Sequence, residues 1–113
     1  MCQVKTVLCQ FSPLRQITMC VHEVVFVQWD HTQVQLLRSQ FEQIQRTLSA
    51  FEQPEVFLSP ELELSPTPQG IRVWFRQGGM LIQQRDWETF SQLFQRGSLV
   101  LHETVSPSPR FLS

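Results

Sequence analysis

The chain has 113 residues, the size of one ordinary domain, and at that size a core forms without obligatory staples. Its net charge is −1, with a pI near 6.3, so there is no general basic field to draw in a phosphate backbone and nucleic acid is an unfavoured partner. No apolar run approaches the roughly 18–20 residues of a membrane span, no basic-then-apolar leader opens the chain, and three cysteines (an odd number) fit a reducing cytoplasm better than a disulfide framework.

The elements follow from hydrophobic period. Val4 to Gln10, rich in Val, Thr and Cys, reads as a strand, and Phe11-Ser12-Pro13-Leu14 as a turn, because proline presets φ and serine bonds its own backbone. Gln16 to Val21 is a second strand, His22-Glu23 a tight turn or bulge, and Val24 to Trp29 a third strand. Asp30-His31-Thr32 turns the chain into Gln33 to Leu37. The period then lengthens. Ser39 stands three residues before Glu42, the spacing of a capping box, and Phe41, Ile44 and Leu48 follow at helical intervals until Pro54. Arg38, Glu42 and Arg46 lie four apart and support that helix.

The second half repeats the scheme. Glu61 to Ser65 alternates as a strand, with Glu61 and Glu63 on its solvated face. Ser65 to Gly70 is a turn, Ile71 to Arg76 a strand, Gln77-Gly78-Gly79 a hairpin turn, and Met80 to Gln84 the returning strand. Asp86 caps a second helix carrying Trp87, Phe90, Leu93 and Phe94. Gly97 ends it, Leu99 to Val105 adds a final strand, and 106–113 forms a flexible tail.

A shift of 46 residues lays 25–48 on 71–94 without a gap. Val25 meets Ile71, Val27 meets Val73, Trp29 meets Phe75, Val34 meets Met80, Leu36 meets Ile82 and Phe41 meets Trp87. Glu42 meets Glu88, Ile44 meets Phe90 and Leu48 meets Phe94, a match of size and polarity more than of identity. We read it as an internal repeat with units at about 4–51 and 55–97. The expectation is one α+β domain over 1–105, built from two consecutive strand–strand–strand–helix units. Their strands form one antiparallel sheet or two packed ones, with two helices on one face.

Alternation also shows which side chains need a cover. If the helices cover Val25, Val27, Trp29, Ile71, Val73 and Phe75, the other face carries Val24, Phe26, Arg72, Trp74, Arg76 and Leu81. Contiguous apolar surface calls for a partner. The tail, the segment around Phe57 or the N-terminal hairpin could fill that place, or a second copy or another protein. Arg72-x-Trp74-x-Arg76, an aromatic between two guanidiniums, could also stack a single-stranded base.

Cys20-Val21-His22 is the best candidate for chemistry, since zinc takes closely spaced N and S ligands from tight turns. A hairpin turning at Ser12-Pro13 brings Cys2 opposite Glu23 and near His22, with Cys9 further toward the turn. Cys2, Cys20 and His22, with His31 as a fourth ligand, would make a zinc site, although no C-x-x-C pair is present. The same segment, a Cys/His turn followed by strand, strand and capped helix over roughly residues 2–50, resembles a family of small uncharacterised bacterial proteins with a Cys-x-His-Cys-Gly-type turn. Here Glu23 and Val24 stand where that pattern has its second cysteine and its glycine, and the resemblance implies no function.

No G-x-S-x-G elbow, P-loop or G-x-G-x-x-G is present. The sequence therefore points away from an enzyme and toward a cytoplasmic interaction or accessory protein able to self-associate, needing no cofactor. A small zinc-binding protein is the alternative and an unrecognised enzyme the third reading.

Overall fold

A computed structural model describes residues 4–51, 55–76 and 78–105. The first half lays down β1 (Val4–Ser12), β2 (Arg15–Cys20), β3 (Val24–Trp29) and β4 (Thr32–Leu37), then α1 (Arg38–Ala50). The second lays down β5 (Phe57–Leu58), β6 (Leu62–Thr67), β7 (Gly70–Phe75) and β8 (Gly78–Gln83). A 3-10 turn (Gln84–Asp86) leads into α2 (Trp87–Val105). The architecture is α+β, with two four-stranded antiparallel meanders in the orders β1-β2-β3-β4 and β5-β6-β7-β8. The first sheet holds the four strands read from the sequence, one more than a three-stranded unit, and the second sheet also has four. The addition in the second half is β5, whose two residues are too short to show a period.

The 46-residue shift holds in the ladder itself. It carries β3 onto β7 and β4 onto β8 residue for residue, and with them the pairing: Val25 faces Leu36 as Ile71 faces Ile82, and Val27 faces Val34 as Val73 faces Met80. All eight of those side chains are buried. A one-residue slip would turn each row to solvent, so burial of one face pins the register in both sheets.

The helices occupy the buried side of the first sheet. α1 lies against β3 and β4, α2 against β1 and β2, and the two helices pack on each other. Aromatic rings knit this layer. Phe41 stacks on Phe94 at 5.2 Å, Phe90 meets Phe94 at 5.2 Å, and Trp29 meets Phe90 edge-on at 5.1 Å. Leu62, Leu64, Ile71, Val73, Phe75, Met80 and Ile82 of the second sheet join the same core, where β8 meets both β4 and α2.

Two expectations about the C-terminal region are overturned. α2 runs unbroken from Trp87 to Val105, so Gly97 does not end it and Leu99 to Val105 is not a strand. Gly97 is buried in mid-helix where α2 packs on the first sheet and on α1. A Cβ there would lie 3.4 Å from Ile17 Cδ1, 3.4 Å from Phe41 Cζ and 3.7 Å from Leu8 Cβ. Phe90, Leu93, Phe94, Gly97, Ser98 and Leu101 form a single helical stripe, every one of them buried. Tertiary packing outweighs glycine's local preference for a helix end.

Caps and turns differ in detail. α1 begins at Arg38, and the reaching-back side chain is Gln40, whose Oε1 accepts from the Leu37 backbone N–H at 2.9 Å. Ser39 therefore sits inside the first turn. Glu42 instead lies between helices, its Oε1 3.3 Å from His102 Nε2 and 3.8 Å from Arg38 Nε. Asp86 precedes α2, as expected of a cap, while its carboxylate reaches Arg15 Nη2 at 3.4 Å. Arg15 is a junction. Its Nε and Nη2 donate to both Asp30 carboxylate oxygens at 2.9 and 3.2 Å, and the guanidinium lies 4.1 Å from the Trp29 ring centroid. One side chain thereby ties β2, the β3–β4 turn and the entry to α2 together.

Candidate interaction face

Cross-strand register defines the outward face of the second sheet. One row runs Leu58, Glu63, Trp74 and Gly79, and the next runs Ser65, Arg72 and Leu81. Trp74 and Leu81 are diagonal neighbours, within reach across a strand pair. Leu58 is 67 % exposed, and Trp74 and Leu81 each 47 %. Trp74 and Leu81 adjoin, and Leu58 lies on the same face two strands away across Glu63, so these exposures share one face instead of being scattered singly.

The Trp74 ring lies across Gly79, where a Cβ would overlap it. Gly79 therefore belongs to β8 and makes room for an aromatic on the strand beside it, which replaces the expected role of Gly78-Gly79 as a turn. The ring rests against Gly79 and remains about half exposed. Arg72 sits over it with the guanidinium carbon 5.3 Å from the centroid. Arg76 points elsewhere, toward Glu61 at 4.0 Å, and borders a small cavity with Leu36, Gln40 and Ile44. The two guanidiniums thus do not flank Trp74, and the base-stacking geometry expected of Arg72-x-Trp74-x-Arg76 is not formed.

Val24 and Phe26 stand on the outward face of the other sheet. Val24 pairs with Leu37, and Phe26 with Thr18 and Gln35. Both are half-buried. The six residues grouped by alternation therefore divide between two sheets. The first sheet's outward face is mostly uncharged, crossed by a register row of Gln10, Gln16, Gln28 and Gln33. Three register shifts in β1 alter its pairing with β2, so the place of Gln10 in that row does not follow from strict alternation along β1.

The expected zinc ligands fall as follows. Cys2 lies outside the described residues. Cys20 is buried and disulfide-bonded, which the odd cysteine count spoke against, and a disulfide sulfur is no thiolate ligand. His22 is exposed in the β2–β3 turn, its backbone N–H 3.4 Å from Cys20 Sγ. His31 occupies the β3–β4 turn at the other end of β3, about 20 Å away by strand rise. Among the described residues no three His, Cys, Asp or Glu side chains gather as a metal site would require. Cys9 is free and pairs with Ile17 on the inward side; burial pushes its thiol up, partly countered by the nearby Arg96. An open groove of 580 Å³ lies between α1 and residues 55–57, lined by Gln43, Arg46, Thr47, Phe51, Val56 and Phe57 among others. No described helix is long and apolar enough to cross a membrane.

Compared with known proteins, the chain matches no family model, no curated protein and no solved structure.

Proposed function

We propose that this is a non-catalytic interaction protein that self-associates through the outward face of its second sheet. The observation that carries the proposal is the register cluster of Leu58, Trp74 and Leu81, exposed together beside a glycine that seats the tryptophan. Removing such surface from water stabilises an interface by roughly 25 cal/mol per Å². Aromatic and arginine side chains at the centre of a patch are the usual anchors of binding energy. A sheet face also offers a second copy a matching surface, since two sheets pack face to face about 10 Å apart.

Sedimentation equilibrium or light scattering across a concentration series tests this. Wild type is expected to gain mass with concentration. Trp74→Ala and Leu81→Asp are each expected to sediment as monomers with unchanged circular dichroism. A wild-type protein that stays monomeric at millimolar concentration, or a Trp74→Ala variant that associates as wild type does, would overturn the proposal.

A further inference from the structure

Two charges share the apolar face and do not neutralise each other. Glu63 and Arg72 are diagonal neighbours on β6 and β7, flanking Trp74. Among the described residues Arg72 forms no ion pair; its guanidinium rests on the Trp74 ring. Among the described residues Glu63 forms no ion pair either, and its Oε2 accepts the Ser65 hydroxyl at 3.1 Å, which holds the carboxylate on that face. Burying either charge without an opposite partner would cost far more than the apolar contact returns. A partner that supplies one anion and one cation, spaced as these are, removes that cost.

A second copy supplies both. We infer that the dimer is isologous, with its two-fold axis through the Trp74 patch, so that Arg72 of each protomer meets Glu63 of the other. This rests on the self-association proposed above and names its geometry. In a two-fold interface residue i meets j and j meets i, so one self-complementary pair becomes two ion pairs. Glu63 stands between Leu58 and Trp74 in one row and Arg72 opposite Leu81 in the next, so both charges lie within the apolar patch and would be covered with it.

Charge reversal tests the pairing. Glu63→Arg leaves only cations at the two contacts of its homodimer, and Arg72→Glu leaves only anions. Each is expected to weaken homodimerisation on the order of tenfold or more, as like charges brought face to face do. Mixed in equal amounts, the two variants face opposite charges at both contacts. The mixture is expected to dimerise with close to wild-type affinity and as the heterodimer, read by native mass spectrometry of one isotopically labelled variant. Failure of the mixture to recover overturns the two-fold pairing. If both reversals associate as wild type does while Trp74→Ala stays monomeric, the face stands and the pairing falls. If wild type itself is monomeric, the self-association proposal falls and takes the pairing with it.

Discussion

Replacing Gly97 tests the packing of α2 on the first sheet, and the sign of the effect depends on the size of the substituent. A methyl group at this site would meet Ile17 Cδ1 and Phe41 Cζ at 3.4 Å and Leu8 Cβ at 3.7 Å, the near edge of ordinary van der Waals contact. Alanine should fit with at most a small movement of those side-chain ends. It also removes glycine's helix-interior penalty of about 1 kcal/mol. Gly97→Ala is therefore expected to be neutral or stabilising by up to about 1 kcal/mol. With an unfolding entropy of about 2.1 cal/mol/K per residue, that is a rise of about 4 °C in Tm for a chain of this length. Gly97→Leu has no such room and should lose about 1–3 kcal/mol through overpacking, or more if the helix is pushed off the sheet. Urea unfolding followed by circular dichroism and by tryptophan fluorescence measures both. If leucine were tolerated as well as alanine, the close approach of α2 to Ile17 and Phe41 would be wrong. The reading of Gly97 as a helix end would then return.

Other perturbations probe different links. The Asp30 carboxyl is held below the ordinary carboxylate range, chiefly by the hydrogen bond from Arg15, against a smaller upward push from partial burial. Its folded value lies below its unfolded one, so this contribution is fully present above the unfolded pKa of about 3.9 and fades as pH falls through the folded value. Asp30 has φ 54°, a conformation asparagine tolerates. Asp30→Asn should be less stable than wild type at pH 7 and equal to it at strongly acid pH, by urea midpoints; a pH-independent difference would remove the ion pair as the cause. Phe94 is fully buried against Phe41 and Phe90, so Phe94→Ala should cost about 3–5 kcal/mol. A loss below about 1 kcal/mol would place the ring outside the core.

Much of the fold was legible because one face of each central hairpin is buried. Val25, Val27, Val34 and Leu36 alternate with neighbours turned to the other face, and so do Ile71, Val73, Met80 and Ile82, which places β3, β4, β7 and β8 within a residue or two. The misses arise where tertiary contact overrides local preference. Gly97 and the β-branched Val100 suggest a helix end and a strand, yet the contacts at Gly97 keep the helix going. Gly79 suggests a turn, but the side chain it accommodates is Trp74 on the neighbouring strand, a relation visible only once the register is known. The division of the candidate face had the same origin. Alternation reports which side of its own sheet a residue takes, and it carries no information on whether two hairpins share that sheet.

The placement of α2 has a consequence for biosynthesis. By chain order it follows the second sheet, but it is β1 and β2 that it shields. The first sheet is translated early and acquires this cover only after some fifty further residues, so half of its apolar side stays bare while the ribosome works. Released chains truncated within 84–96 should therefore bind holdase chaperones more strongly than the chain that includes α2.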